Sequence, residues 1–135
     1  MQNKKLLPKK ALILINVAKN HIKKTYQQNL TSIASALLTK KGNIYTGINL
    51  KYRKFYKCIC AERIALAKAI ESKDKDFELI VSVKYDKEKN DFYVINMCGE
   101  CRQIFINHAP IKVIVDSKGI LKLVTIEKIF PYPYC

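Results

Sequence analysis

Apolar and polar positions along the chain change period several times, and each change marks an element. From Pro8 onward, Ala11, Ile15, Ala18, Ile22 and Tyr26 recur at three- and four-residue spacing. They predict one apolar stripe of a helix over about residues 9–28, with Pro8 suited to its first turn. Two β-rich runs, Ile33 to Thr39 and Ile44 to Asn49, flank Lys41-Gly42-Asn43 and read as a hairpin. Ala61 to Ile70 is rich in helix formers, with Ile64, Leu66, Ala67 and Ile70 as its apolar positions. Phe77 to Tyr85 reads as a strand, Asp86 to Asp91 as a charged turn and 92–96 as extended chain. Cys98 to His108 predicts a short helix ended near Pro110. Ile111 to Val115 and Ile120 to Val124 read as strands around Asp116-Ser117-Lys118-Gly119. Thr125 is suited to cap a last helical turn through Phe130, which Pro131 ends.

The order α-β-β-α-β-α-β-β-α predicts a mixed sheet between helices, a three-layer α/β/α domain. No repeat, linker or composition break divides the 135 residues, so 1–135 reads as a single domain. Hydrophobic residues make up 49%, which excludes a disordered basic tail. No run of 18 apolar residues is present, so no membrane span is predicted. The N-terminal apolar run lacks a cleavage pattern and reads as helix rather than signal peptide.

The formal net charge is +14, carried by 22 Lys but only three Arg: Arg53, Arg63 and Arg102. Such an excess invites a nucleic-acid or membrane-surface reading. No basic extension or RNA-binding module stands beside the domain, so nucleic acid is not an expected partner. Five Cys are too few for a disulfide scaffold, and their number is odd. A reduced, cytoplasmic protein with metal-binding or catalytic thiols is the better expectation.

The chemistry gathers at two helix starts, Cys60-Ala61-Glu62-Arg63 and Cys98-Gly99-Glu100-Cys101-Arg102-Gln103. The C-x-x-C spacing lets Cys98 and Cys101 reach one zinc ion from a single turn, and Cys60 can supply a third ligand. Helix N-termini favour thiolates. Three protein ligands leave a fourth position for water, the pattern of a catalytic rather than a structural zinc. Glu62, two residues from Cys60, stands where a proton shuttle is needed. Arg63 can hydrogen-bond a ligand sulfur, and Arg102 also falls beside a thiolate. The alternatives are a structural zinc completed by Cys58, or inert buried thiols. A one-residue spacer makes Cys58 a poor companion ligand to Cys60, so Cys58 reads as a core or strand-end residue. Cys135 reads as a free terminal thiol, Glu100 as solvated, and neither His21 nor His108 as a ligand.

A helix-borne ligand with Glu two residues on, followed by C-x-x-C, is a zinc-deaminase signature. Together with Ala36-Leu37-Leu38-Thr39 and Gly42-Asn43-Ile44-Tyr45-Thr46-Gly47-Ile48-Asn49, it resembles the zinc-dependent cytidine deaminase superfamily over roughly 31–134. Ser32-Ile33-Ala34-Ser35-Ala36 and the ending Ile129-Phe130-Pro131-Tyr132-Pro133-Tyr134 are most similar to the blasticidin-S-deaminating branch. The resemblance implies a cytidine-deaminase-like fold with a mixed five-stranded sheet and one zinc per subunit. It also implies a homotetramer with active sites at subunit interfaces. The implied reaction converts the 4-amino group of a cytosine nucleoside or analogue to the uracil form, releasing ammonia, with blasticidin S as the alternative substrate. Glu62 would be the shuttle, with Cys60, Cys98 and Cys101 as ligands. Asn49, Ser32, Ala61 and Tyr134 would contact substrate.

Three departures from the family pattern stand out. Met97 replaces the Pro before the first Cys of C-x-x-C, which loses a rigid φ but no ligand. Thr31 stands where an aromatic is expected, so base stacking would fall to Phe55 or the aromatic tail. Asn49-Leu50-Lys51 replaces Asn-x-Glu, putting a cation where a carboxylate would hold a ribose. Lys51 either faces an anionic or modified sugar or points to solvent. A non-catalytic zinc-binding role is disfavoured by the intact Glu62.

Overall fold

Strand alternation sends successive side chains to opposite faces of a sheet, and here both faces are apolar, so both must be covered. The computed structural model describes residues 2–55 and 57–134. Its elements run α1 (Lys9–Thr25), β1 (Ile33–Thr39), β2 (Ile44–Ile48), β3 (Leu50–Tyr52), β4 (Lys57–Ile59), α2 (Ala61–Glu71), β5 (Phe77–Asp86), β6 (Asp91–Ile95), α3 (Gly99–Phe105), β7 (Lys112–Ser117), β8 (Ile120–Thr125) and α4 (Ile126–Ile129). The main sheet follows the path β2-β1-β5-β7-β8, the five strands expected. β5 and β7 are parallel and the other neighbours antiparallel, so the sheet is mixed. A sixth strand, β6, pairs with Ser82 to Asp86 of the long β5, while β7 pairs with Leu79 and Ile80. The run read as merely extended thus becomes a strand because β5 outlasts β7.

Ala36, Leu38, Leu79, Val81, Val83 and Ile114 face α1, packing on its Ala11, Leu14, Ile15 and Ala18. The intervening Leu37, Ile80, Val113 and Val115 face Ala65, Leu66 and Ala69 of α2, Phe105 of α3 and Ile126 of α4. The result is the expected α/β/α sandwich, with the motif-bearing helices together on one face.

Local departures have local causes. α1 stops at Thr25, three residues early, because Tyr26 takes extended angles and packs edge-on against Tyr85 at 5.2 Å. In α2 the buried residues are Ala61, Glu62, Ala65, Leu66 and Ala69. The expected positions Ala67 and Ile70 are exposed instead. Backbone proximity explains this. A Cβ on Gly47 of β2 would lie 2.3 Å from Ala61 O and 2.6 Å from Ala65 N. Only a glycine at 47 lets the α2 backbone lie so close to β2, and at that distance Ala61, Ala65 and Ala69 turn inward beside the expected Leu66, while Ala67 and Ile70 turn outward. β3 and β4 form a separate ribbon, with Lys51 opposite Cys58. Cys58 is therefore exposed on the ribbon, not a core residue.

The β1–β2 turn is tied down by one carboxylate. Asp74 is buried, and its Oδ2 accepts hydrogen bonds from Thr39 Oγ1 and Asn43 Nδ2, both at 2.9 Å, and from Tyr45 OH at 3.3 Å. These donors, Asn43 foremost, hold its carboxyl below the usual range although burial acts the other way. A depressed folded pKa stabilises above the unfolded value, about 3.9, and the gain is lost as pH falls through the folded value. Asp74→Asn is accordingly expected to lower the Tm at pH 7. Thermal melts across pH should show the gap to the unaltered protein closing below about pH 4.

Candidate metal centre and active site

Two helix starts on one face of the sheet point at the same spot. Cys60 is the residue before α2 and Cys98 the residue before α3, both with extended backbone angles. Cys98 Sγ accepts a hydrogen bond from the Cys101 amide at 3.4 Å, so the first turn of α3 wraps its own ligand. The Cys60 and Cys98 sulfurs lie 3.6 Å apart, and all three sulfurs lie within 4.8 Å of one another. Zn–S bonds of ~2.3 Å at a tetrahedral angle place sulfurs ~3.8 Å apart. The donor set therefore fits a zinc ion.

The electrostatics agree. Burial pushes the Cys60 thiol up to about 11. Burial and the nearby Glu62 push Cys101 higher still. Thiols and a carboxylate this close cannot all ionise without a cation among them. Arg63 has a buried Nε–H with no acceptor, an orphan donor that a thiolate would satisfy. Burial works against the Arg63 charge, but Glu100 and Cys101 outweigh it and raise its pKa. Glu100 is exposed, yet it is ion-paired to Arg63 rather than merely solvated.

Glu62 is 5% exposed, the one buried carboxylate beside the cluster. Its Oε2 lies 3.9 Å from Cys101 Sγ, while Oε1 accepts a 2.8 Å hydrogen bond from Ser82 Oγ. Ser82 Oγ in turn lies 2.6 Å from Ser35 Oγ. Gly47, Ser35, Ser82 and Ile95 form one row across the sheet. That row admits the first turn of α2 at Gly47 and holds Glu62 at the serines. It borders the cavity at Ile95. The serine contact was not anticipated. Its signal was two hydroxyl residues at positions where strand alternation calls for apolar ones.

A cavity of about 180 Å³ opens over this row, lined by Asn49, Lys51, Cys58, Cys60, Ala61, Glu62 and Cys98 among others. A larger cavity of about 380 Å³ lies beside Phe77 and Pro110, and no motif residue lines it. Asn49 Oδ1 accepts from Thr31 Oγ1 at 3.1 Å and from the Ser32 and Ile33 amides at 2.9 Å each. Its Nδ2 is then the polar atom left for a ligand. Thr31, in the aromatic's place, is buried as a donor to Asn49. Lys51 does not simply point to solvent: it is half-buried and lines the cavity, and its Nζ donates to Ser32 Oγ at 3.1 Å.

Ser32 lines a neighbouring polar groove that shares Lys51, not the metal-side cavity. Tyr134 does not line the cavity either; its side chain is exposed and its backbone is paired with Gln103 of α3. Arg102 is not beside the thiols as expected. Its Nε donates to Met97 O at 2.8 Å and its Nη1 to Ile129 O at 3.0 Å. That clamp fixes the residue standing in for the family's Pro. The side chain of Phe55 and Cys135 lie outside the described residues.

The model of the cytidine and deoxycytidylate deaminase zinc-binding region matches residues 8–117. The chain belongs to this family. It is 32% identical to the blasticidin-S deaminase of Bacillus cereus over 127 residues, 91% of each chain. It is 30% identical over 102 residues to the cytidine deaminase of Sporosarcina psychrophila, covering 73% of this chain and 71% of that one. The crystal structure of the cytidine deaminase from Burkholderia pseudomallei superposes with a TM-score of 0.72 at 25% identity, covering 95% of this chain and all of that one. The Bacillus anthracis cytidine deaminase structure shares the fold, with a TM-score of 0.78 at 21% identity over 91% of this chain and 88% of that one.

Metal uptake by this family member has to displace thiol protons, so it should weaken as pH falls. Zinc analysis of purified protein should find one ion per chain, retained at neutral pH and released progressively on acidification. Cys60→Ala, Cys98→Ala and Cys101→Ala should each lose it at neutral pH.

Proposed function

We propose that the chain is a zinc-dependent hydrolytic deaminase of cytosine nucleosides or their analogues, acting as one catalytic domain over 1–135. The observation that carries this is a buried carboxylate, Glu62, beside three converging thiols at the edge of a cavity. A structural metal site needs no such carboxylate. Family membership and the named relatives support the same reaction class.

Cys60, Cys98 and Cys101 would hold the zinc, which when bound supplies Lewis acidity towards a water and makes it a nucleophile near neutral pH. Glu62 Oε2, the oxygen on the sulfur side, takes the proton from the attacking water and delivers it to the ring N3, which makes C4 electrophilic. Once the hydroxyl has added to C4, the same oxygen takes its remaining proton and gives it to the amine; the C4–N bond breaks, C4 keeps the oxygen as a carbonyl, and ammonia departs. Asn49 Nδ2 is placed to hold the sugar. Ala61, at the first turn of α2, lines the cavity and would border the base.

The finer reading is a cytoplasmic homotetramer with substrate sites near subunit interfaces. Reduced, unpaired thiols and exposed Tyr52, Ile59 and Ile70 beside the site-bearing elements support it. In such an assembly Tyr134 and Ser32 would complete a site. Among the described residues no helix is long and apolar enough to cross a membrane. Nucleic acid remains an unexpected partner, since the cavity is small, about 180 Å³.

Ammonia release from cytidine, deoxycytidine, cytosine and blasticidin S tests the reaction. Glu62→Gln should keep zinc and fold but lose turnover by about 10² or more; a near-normal rate would refute the shuttle. Lys51, at the cavity edge, favours an anionic or modified sugar. Lys51→Glu should shift kcat/KM towards cytidine relative to blasticidin S by about tenfold, and an unchanged ratio would remove Lys51 from substrate selection.

A further inference from the structure

Ser35 and Ser82 face each other in register on β1 and β5, on the face that packs against α2. Their neighbours on that face, Leu37 and Ile80, are apolar and fully buried. Ser35 is fully buried and Ser82 is 4% exposed. Hydroxyls at such positions cost stability unless they are hydrogen-bonded, and two apolar residues would fill the sheet face better. Here the pair is joined at 2.6 Å, and Ser82 donates onward to Glu62 Oε1 at 2.8 Å. A hydroxyl has one proton. With that of Ser82 on Glu62, the proton of Ser35 lies towards Ser82, and the chain runs in one direction.

We infer that Ser82, backed by Ser35, is a positioning residue that anchors Glu62 Oε1 so that Oε2 stays on the sulfur side of the carboxylate. This rests on the deaminase reading of Glu62. A free Glu side chain at the start of a helix has several staggered rotamers, and only those that keep one oxygen near the thiol cluster can serve the reaction. The anchor selects among them before substrate arrives, which is preorganisation of a catalytic group by a neighbour that never touches substrate. A hydroxyl suits the task because Oε1 accepts its proton whether or not Oε2 carries one, so the contact persists while Glu62 passes a proton. The contact acts on orientation and not on substrate affinity, which sets it apart from Asn49 and Lys51.

The test compares the unaltered chain with Ser82→Ala, Ser82→Val and Ser82→Thr. Thr and Val share a shape and differ in the hydroxyl, so they separate anchoring from packing. Zinc content and Tm establish that each variant is loaded and folded. With cytidine and blasticidin S as substrates, Ala and Val should lower kcat by about 10- to 100-fold with KM little changed, and Thr should restore most of it. Crystals of the same variants give a readout independent of turnover. Glu62 should keep its orientation in the Thr variant and move off it in Ala and Val. If Ala and Val keep both full kcat and the Glu62 orientation, or if Thr is as impaired as Val, the anchor is overturned. If the unaltered chain releases no ammonia from either substrate, the deaminase reading fails on its own, and the crystallographic comparison still decides whether Ser82 fixes Glu62.

Discussion

Mutual repulsion of like charges in a confined, partly buried space is the constraint around which this molecule is arranged. Three sulfurs within 4.8 Å of one another and a carboxylate oxygen 3.9 Å from one of them form a set that cannot ionise together in a protein interior without a compensating cation. Burial raises the thiols instead. The metal is therefore part of the electrostatic balance of the fold as well as of the reaction. The elements that bring these groups together, two helix starts and a sheet row, spend stability on a cluster that only a cation makes favourable.

The sheet supplies the rigidity this requires. Gly47 removes a side chain where α2 must approach β2, and Asp74 pins the turn that carries β2 into place. Between them α2 is set in depth and in position along the sheet, and with it Cys60 and Glu62. α3 is short, seven residues, and needs a different anchor. Arg102 provides it by joining Met97 to Ile129, so the loop before Cys98 is tied to the C-terminal turn α4. The Pro that the family pattern expects at 97 would have restricted φ through its ring. This chain restricts the same segment through a guanidinium hydrogen bond.

What was legible in the sequence divides along the same lines. That Cys60, Cys98 and Cys101 would meet, with Glu62 beside them, is readable because metal-ligand spacing and helix starts are local in the sequence. The strands of the main sheet are readable because β-rich apolar runs between turn residues are a local property. The buried face of α2 is legible only in part: Leu66 is inward as its period predicts, but Ala61, Ala65 and Ala69 join it where Ala67 and Ile70 were the expected positions, because Gly47, distant in sequence, brings the helix backbone close. The ribbon of β3 and β4 escapes for want of a turn signal in a Lys-rich run. Ser82 escapes because a serine at an apolar strand position marks an exception without naming its partner; that partner, Glu62, lies twenty residues earlier on a helix.

The arginines show how position and chemistry can be confused. In a chain that uses Lys 22 times, two of three Arg stand next to zinc-motif residues, and both could be read as charge partners for thiolates. Only Arg63 lies where it could be one, with a buried Nε–H that has no acceptor and with Glu100 as its counter-ion. Arg102 uses two nitrogens of the same planar fork on two carbonyl oxygens that face it from different segments. A lysine could neutralise a thiolate from many positions, but it presents a single ammonium on a flexible stem and would bridge two fixed carbonyls poorly. What unites the two sites is thus geometry rather than charge: each needs several donors at set angles from one rigid group, and a Lys-rich composition makes the exceptions stand out.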